Sequence, residues 1–502
     1  MRTRQGNCTR FRECETADRY QLIVLPQGAD FVCPECGQPL TLVAFQRSRR
    51  PKALILGGGL LLFAVLFLAW HDFSGRFPGN AGDQDKVILR LAGSNTIGAT
   101  MAPSLAEAFL KALGATEVSI VARANPEEKL VQGRLPSQPF LSQIQISAHG
   151  SATAFTSLAS GTCDIGMASR QVKADEASNL SFLGDMYSSA NEHVLGLDGI
   201  AVIVNPASPV STLGKDQIMQ IFSGELSDWS QIGSSRGPIH IYARDDKSGT
   251  FDTFKTLVLG GKALAPEANR FEDSNALSEA VAADPSGIGF IGLPYVHSAK
   301  ALAVSEKQAQ ALKATRLTVA TEDYPLSRRL YLYTATNPTN RFTQKFIEFA
   351  ISKQGQYVVA DSGFVAQNVV PQDQAVAQEA PRDYKQLTQR AKRLPLNFRF
   401  RRGKSDLDNK ALVDVDRVVT FIADLHYTGD KILLFGFADS TGPAQINRTL
   451  SLNRAKTVED QFKQRGLEPG AVRGFSSDLP VAANDTEEGR EKNRRVEIWV
   501  KK

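Results

Sequence analysis

The sequence predicts an α/β protein that follows a short cysteine-containing head and one membrane-spanning helix. Three observations lead to this prediction. Residues 53–70 form an apolar run without a charged side chain. After this run, apolar strand patterns alternate with helical patterns, as they do in α/β domains. Four of the five cysteines lie before the run and one lies after it, so the two parts of the chain that the run separates differ in cysteine content.

The length and the charge of the chain bound its organisation and its partners. A chain of 502 residues is too long for one hydrophobic core, and its length suggests about three domains. The formal net charge is +5, with Lys and Arg spread along the chain instead of forming one basic stripe. The charge therefore indicates no nucleic-acid partner.

Residues 53–70 are predicted to cross the membrane once. Eighteen helical residues extend about 27 Å, which is close to the hydrocarbon thickness of a bilayer. A cleaved signal peptide and a buried core helix are the alternatives, but the 52 preceding residues are too many for a signal n-region. Arg47, Arg49, Arg50 and Lys52 flank the run on its N-terminal side. The positive-inside rule therefore predicts a single-pass membrane protein with a cytoplasmic N-terminus and a long C-terminal part on the other side of the membrane.

The predicted cytoplasmic head, residues 1–50, carries Cys8, Cys14, Cys33 and Cys36. Four thiolates suit tetrahedral zinc, and so short a segment needs metal binding, worth on the order of 10 kcal/mol, to hold a fold. The head also resembles a zinc ribbon, although its first pair is spaced more widely than C-x2-C. We therefore expect a structural Zn²⁺ ion, with unligated reduced thiols as the alternative. The spacing does not identify what the head contacts.

A linker at residues 71–86 precedes the first external domain, residues 87–370. Its predicted strands are 87–91, 144–147, 200–204 and 239–242. Three turns rich in glycine and hydroxyl residues lie at strand ends, at 93–98, 150–153 and 248–250. The third opens a predicted helix at 251–259, where free N–H groups and the helix dipole favour an anion, and Arg244 lies four residues upstream. These turns predict an anion-binding site.

Seven motifs occur in order along this domain. They are AGSNTIG at 92–98, HGSATAF at 149–155, DIGMASR at 164–170, DGIAVIVNP at 198–206, IFSGELSDW at 221–229, RDDKSGT at 244–250 and YPLSRRLYLY at 324–333. Through these motifs the domain resembles the periplasmic phosphate-binding proteins of phosphate ABC transporters (PstS-type). The resemblance implies a two-lobed periplasmic-binding-protein fold with a closing hinge, and a return to the first lobe through 324–333.

The resemblance also implies which residues bind phosphate. The implied oxyanion donors are Thr96, Ser151, Arg244, Ser248, Gly249 and Thr250, with Asp246 bracing Arg244, and Ser94, Ser169 and Arg170 are further candidates. The best-known family members place an aspartate after the DxGxS element, where it accepts the proton of protonated phosphate. Here Ser169 is followed by Arg170. Phosphate is therefore the expected ligand, while selectivity against sulfate stays open.

The remaining reactive residues of this domain indicate no catalysis. The six histidines of the whole chain, four of which lie in this domain, show no metal-ligand spacing, and the serines of the glycine-rich turns lack the strand-elbow-helix context of a hydrolase nucleophile. His149 is expected to form structural hydrogen bonds, and Cys163 is expected to be a small buried core residue. The sequence therefore predicts a binding protein and not an enzyme.

A second linker, residues 371–393, precedes the terminal α/β domain, residues 394–502. Its predicted elements are strands at 396–400, 431–437 and 495–500 and helices at 408–425 and 447–465. The motifs GFADSTGPAQINRTLSLNRAKTV at 436–458 and NDTEEGREKNRRVEIWV at 484–500 resemble the OmpA-like peptidoglycan-binding family. Departures from the family pattern are Phe437 and Ala438, where the family usually has His and Thr.

This second resemblance implies a binding site for the wall peptide. Asp439 would take the ammonium and Arg454 the carboxylate of its diaminopimelate side chain, and Asn447 and Arg494 would support the site. The alternative is that Asp439 and Arg454 pair with each other or face solvent.

Together the two resemblances imply a substrate-binding protein anchored in the inner membrane, with a periplasmic C-terminal bulk, that captures or senses phosphate while attached to peptidoglycan. Whether a transporter or a signalling partner receives the ligand stays open. The alternative is a structural linker between inner membrane and wall, in which the two-lobed domain is a spacer or a protein-interaction module.

Overall fold

The structure is a computed structural model that describes residues 3–7, 23–26, 32–34, 36, 41–42, 86–136, 138–234, 237–246, 248–307, 309–400 and 406–502. The chain divides into two compact units, Met1–Asn80 and Ala81–Lys502. Within the described residues, no helix combines the length and the apolar character that a membrane crossing requires. The predicted crossing at 53–70 lies outside these residues, as do Cys8 and Cys14.

The first unit contains a small antiparallel sheet. Its strands are β1 Thr3–Asn7, β2 Ile23–Pro26 and β3 Thr41–Leu42, in the order β2-β1-β3. Ile23 and Cys33 are buried, and Cys36 is half-buried. Cys33 and Cys36 are the two described cysteines of the predicted zinc ribbon, and the other two lie outside the described residues, so the zinc ribbon stays a prediction.

The first domain of the second unit alternates strands and helices. Its strands are β4 Lys86–Gly93, β5 Thr116–Ala122, β6 Glu128–Arg134, β7 Ser142–Ser147, β8 Ile165–Ala168, β9 Glu192–Val204, β10 Thr212–Gly214, β11 His240–Arg244, β12 Asn269–Phe271, β13 Gly287–Gly292, β14 Lys300–Ala301, β15 Ala303–Ser305, β16 Leu312–Lys313 and β17 Ser327–Tyr333. Its helices are α1 Asn95–Gly98, α2 Met101–Ala112, α3 Ser151–Ala159, α4 Ala174–Asn179, α5 Lys215–Phe222, α6 Gly249–Phe254, α7 Ser274–Ala283, α8 Arg316–Ala320, α9 Arg341–Ile351 and α10 Lys353–Asp361. The four strands predicted here are therefore confirmed, and the helix predicted at 251–259 is α6 followed by a π-helix at Lys255–Leu259.

One long strand, β9, joins two lobes. The first half of β9 pairs with β17, and its second half, from Ile200 to Val204, pairs with β13. The main sheet has the order β12-β11-β13-β9-β17-β8-β4-β7-β6-β5. Each half has its own hydrophobic core, one containing Phe109 and Phe346 and the other containing Phe254 and Phe290. The predicted two-lobed α/β fold, with a return to the first lobe through 324–333, is confirmed.

The terminal domain is a four-stranded sheet with helices on both faces. Its elements are α11 Arg382–Thr388, β18 Ala391–Arg399, α12 Asn409–Asp424, β19 Ile432–Gly436, α13 Ala444–Lys463, β20 Ala471–Gly474, α14 Glu487–Asn493 and β21 Arg495–Lys501. The strand order is β18-β21-β19-β20. Asp408 is the N-cap of α12, since its side chain accepts a hydrogen bond from the Ala411 N–H (2.8 Å). The predicted helix at 408–425 is thus confirmed.

The predicted linker at 371–393 is shorter in the structure than in the sequence prediction. Its second half belongs to the terminal domain, since Ala380, Tyr384, Thr388 and Ala391 recur every three or four residues and are buried. The Tyr384 ring packs against an aromatic cluster on the sheet face opposite α12 and α13, which contains Phe435, Phe437, Phe475 and Trp499. Because many residues of this stretch are polar, its sequence was interpreted as a linker and the buried face of α11 was not predicted.

Candidate functional sites

A cavity of about 640 Å³ lies between the two lobes. Five of the predicted site residues line it, namely Ser151, Ser169, Arg170, Asp246 and Ser248. Carboxylates of Glu127 and Asp252 line it as well. The cavity therefore offers both hydrogen-bond donors and acceptors to a ligand.

The lobes meet where Thr96 in α1 approaches Gly249 at the start of α6. A Cβ atom on Gly249 would lie 2.1 Å from Thr96 Oγ1 and 2.5 Å from Thr96 Cα, so only glycine permits this approach. Ser248 Oγ accepts hydrogen bonds from the N–H groups of Thr250 (3.2 Å) and Phe251 (3.4 Å). The structure thus brings Ser248, Gly249 and Thr250 to a helix start that faces the other lobe.

The first lobe contributes a second helix start. Ser151 is the first residue of α3, and its Oγ accepts a hydrogen bond from the Ser169 N–H and lies 3.0 Å from Ser169 Oγ. Both serines are buried. Ser94, also buried, precedes α1, and its N–H donates to Met167 O (2.8 Å). The predicted serines of this lobe therefore lie close together, and two of them line the cavity.

Arg328 is a cavity residue that the sequence analysis missed. Its Nη2 donates to Thr96 Oγ1 (2.8 Å) and to Gly249 O (3.0 Å), so it joins the two lobes. It also pairs with Asp198 at 3.4 Å, and burial lowers the pKa of Arg328 and raises that of Asp198. Its buried Nε has no hydrogen-bond partner among the described residues. The sequence feature that could have indicated Arg328 is the pair of adjacent arginines inside the apolar stretch YPLSRRLYLY.

Arg244 is placed differently from its prediction. It donates to Phe271 O (3.2 Å), to Glu272 O (2.7 Å) and to Ser274 Oγ, and it does not contribute to the cavity lining. The pairing of β11 with β12 sets Arg244 opposite Phe271, beside carbonyl groups that satisfy its guanidinium. Asp246 lines the cavity but pairs with Arg270 (2.7 Å) instead of bracing Arg244.

Arg170 lines the cavity as a paired cation. Its two Nη atoms donate to the two carboxylate oxygens of Glu176 at 2.8 and 2.7 Å, and these bonds raise the pKa of Arg170. His149 also lines the cavity, and its Nδ1 lies 3.0 Å from Glu127 Oε2. Cys163 is buried as predicted, and burial raises the pKa of its thiol to about 12.

The terminal domain brings three of the predicted wall-site residues, Asp439, Arg454 and Arg494, close together, and it places Asn447 on the same helix as Arg454. Asp439 pairs with Arg494 (3.1 Å) and accepts a hydrogen bond from the Thr441 N–H (2.9 Å). Arg454 donates to Phe437 O (3.3 Å), and Asn447 is buried on the same helix. Burial lowers the pKa of Arg454, Arg494 lowers it further and Asp439 raises it. In this structure Asp439 therefore pairs with Arg494 and leaves Arg454 beside them.

Comparisons with known proteins match both domains. A family model described as PBP superfamily domain matches residues 92–354, and the OmpA family model matches residues 399–494. The phosphate-binding protein PstS of Pseudomonas aeruginosa is 29% identical over 240 residues, which cover 44% of this chain and 73% of that protein. The phosphate-binding protein PstS of Bacillus subtilis is 28% identical over 223 residues, which cover 44% of this chain and 70% of that protein.

One solved structure of similar size to the first domain is an ABC-type phosphate transport receptor from Vibrio cholerae. It is 23% identical, covers 55% of this chain and 99% of its own chain, and has a TM-score of 0.44. The sequence relatives are binding proteins and not enzymes, which confirms the prediction that this chain is not an enzyme.

Proposed function

Because the chain belongs to the PBP superfamily through residues 92–354, we propose that its two-lobed domain captures or senses phosphate, or a related oxyanion, between the lobes. The observation that carries this proposal is the convergence of Ser151, Ser248 and Arg328 on one interlobe cavity. Hydroxyl groups, helix starts and a guanidinium are the donors that tetrahedral oxyanions prefer. The names of the P. aeruginosa and B. subtilis relatives support phosphate as the anion.

The carboxylates that line the cavity affect the choice between phosphate and sulfate. Arg170 stands where the acceptor of the PstS family is expected, but Glu127, Asp246 and Asp252 line the same cavity. Phosphate carries a proton near neutral pH and sulfate does not, so a carboxylate acceptor favours phosphate. We therefore infer that phosphate binds more tightly than sulfate.

Calorimetric titration of the full-length chain tests this function. Phosphate is expected to bind and sulfate to bind more weakly. The Ser151→Ala variant is expected to lose about 10- to 100-fold in phosphate affinity, because a hydrogen bond to a charged ligand contributes about 1.5–3 kcal/mol. Ser160→Ala, an exposed serine at the other end of α3, is the matched control. Absence of phosphate binding by the unaltered chain would contradict the proposal.

We propose that the terminal domain binds peptidoglycan through the diaminopimelate of the wall peptide. Among the described residues, no carboxylate forms an ion pair with Arg454, and its side chain is half-buried, which suits it to binding a carboxylate of a ligand. An Asp439→Ala, Arg454→Ala double variant is expected to lose most of its co-sedimentation with purified sacculi. Arg448→Ala, an exposed arginine on α13, is the control. Unchanged sedimentation of the double variant would count against wall binding by this site.

We propose that residues 53–70 anchor the chain in the inner membrane with its N-terminus in the cytoplasm. The support is the charge-free apolar run behind a cluster of arginines. The chain is expected to stay with the membrane pellet during alkaline carbonate extraction. Release into the supernatant would argue against an anchor.

We propose that the head holds one structural Zn²⁺ through Cys8, Cys14, Cys33 and Cys36. The support is the cysteine spacing and the burial of Cys33 in the turn that it shares with Cys36. Elemental analysis of the reduced, purified chain is expected to find about one zinc per chain, and a Cys33→Ser, Cys36→Ser variant is expected to lose it. Zinc content near zero in the unaltered chain would reject this proposal.

A second function, a linker between membrane and wall, is favoured by the buried contacts between the two domains of the second unit. Arg399 Nη2 of the terminal domain donates to Thr321 O (3.0 Å), and Arg329 of the two-lobed domain pairs with Asp408 (2.8 Å). Such contacts suit a spacer that transmits force. Sacculus binding without any phosphate binding would favour this function over the first.

A further inference from the structure

The start of α12 in the terminal domain lies directly behind the anion cavity. Asp408 Oδ2 is 2.8 Å from Arg329 Nη1. Arg329 lines the cavity and follows Arg328, the residue that joins the lobes. The Arg329 side chain is 13% exposed and the Asp408 side chain 19%, so this ion pair is largely shielded from water. Together with Glu322, which accepts hydrogen bonds from Arg329 Nε (2.9 Å) and Nη2 (3.0 Å), this pair holds the guanidinium of Arg329 in one geometry.

Asn409, the first residue of α12, is connected to the cavity wall through a second set of hydrogen bonds. Asn409 Nδ2 donates to Glu192 Oε1 (3.1 Å). Glu192 Oε2 accepts a hydrogen bond from Gln171 Nε2 (2.8 Å), and Gln171 lines the cavity beside Arg170. Glu192 and Asn409 are both buried. Two consecutive residues of the terminal domain are thus each joined, through one side chain of the two-lobed domain, to the cavity wall.

The same interface contacts both lobes. On the first lobe, Arg417 Nη1 donates to Gln367 Oε1 (2.9 Å). On the second lobe, Asn397 Nδ2 donates to Thr321 O (2.9 Å), close to Tyr324 in the core of that lobe. The terminal domain therefore holds the two lobes in the orientation in which Thr96 meets Gly249.

We propose that Asp408 and Asn409 are positioning residues of the anion site, which hold Arg329 and Glu192 from behind the cavity and thereby raise the affinity of the two-lobed domain for phosphate. This inference rests on the proposed phosphate-binding function. Donors that are already fixed lose less conformational freedom when the anion binds, so they bind it more tightly. Linked sites of this kind typically change affinity by about 5- to 150-fold.

Two substitutions at Asp408 separate its charge from its role at the helix start. Asp408→Asn keeps an efficient N-cap but removes the charge that faces Arg329, whereas Asp408→Glu keeps the charge but caps poorly. Calorimetric titration of the full-length chain with inorganic phosphate is expected to show about a tenfold weaker affinity for Asp408→Asn. Asp408→Glu is expected to lie closer to the unaltered chain.

The control is Asp424→Asn at the other end of α12. Asp424 also pairs across the domain interface, with Lys353 at 3.2 Å, but both side chains are exposed, and a less than twofold change is expected. Equal affinities of Asp408→Asn and the unaltered chain, or a weaker affinity for Asp408→Glu than for Asp408→Asn, would overturn the inference while leaving the phosphate-binding function intact. No phosphate binding by the unaltered chain would overturn both.

Discussion

Replacing Gly249 by alanine is expected to weaken phosphate binding by about 100-fold. The new Cβ would lie 2.5 Å from Thr96 Cα, a contact that no side-chain rotation relieves, so the two lobes could not close at this point. Overpacking costs up to about 3 kcal/mol, and each 1.4 kcal/mol changes affinity tenfold. Calorimetric titration with phosphate measures the loss.

The control for this substitution is Gly214→Ala. Gly214 also precedes a helix, has an ordinary backbone conformation (φ −72°, ψ 148°), and its Cβ would meet only Gln217 Oε1 at 3.4 Å. Its phosphate affinity is expected to match that of the unaltered chain. Tight phosphate binding by Gly249→Ala would mean that the ligand-bound lobes do not meet at Thr96 and Gly249.

Glu322→Gln is expected to destabilise the second unit by about 3–5 kcal/mol, because removing one partner leaves buried charge uncompensated. Glu322 accepts hydrogen bonds from Arg329 Nε (2.9 Å) and Nη2 (3.0 Å). Lys410 and Arg399 of the terminal domain each lie 3.8 Å away. Urea denaturation measures the effect. Glu225→Gln, which breaks an exposed pair with Lys262, is expected to change stability by less than about 1 kcal/mol.

The stability of the second unit is expected to depend on pH through the Glu322 carboxylate. Burial alone would raise its pKa, but the charges of Arg329, Lys410 and Arg399 lower the pKa of Glu322 to about 2, below the usual 4.5. A group with a lowered folded-state pKa stabilises the protein above its unfolded pKa. The contribution of Glu322 is therefore fully present above about pH 4.5 and is lost as the pH falls towards 2. Glu322→Gln should flatten this part of the stability profile, and an unchanged profile would contradict the assignment.

Local sequence patterns predicted most elements of the fold. The strand at 200–204 follows from a continuous apolar run and the helix at 408–425 from apolar periodicity, and both patterns depend only on neighbouring residues. Local patterns of this kind did not predict the π-helix at Lys255–Leu259 or the helix α11. In α11 the burial of Tyr384 depends on an aromatic cluster formed by strands far along the chain.

The residues around the interlobe cavity were predicted in part for a similar reason. Ser248 and Gly249 are fixed by a local turn, so their place at a helix start could be read from the sequence. The directions of Arg244 and Arg328 depend on long-range pairing, of β11 with β12 and of β17 with β9. Charged residues such as Arg399 and Lys410 read as solvent-exposed in a sequence, although they lie buried against the two-lobed domain.

The burial of Cys163 has a consequence for the redox chemistry of the chain. The reactive form of cysteine is the thiolate, and a pKa of about 12 leaves almost none of it at neutral pH. Cys163 lies beyond the proposed membrane anchor, where a compartment that oxidises thiols would join an exposed cysteine to other proteins. Packed beneath Phe155 and Leu158, this thiol is protected from disulfide exchange without needing a partner cysteine.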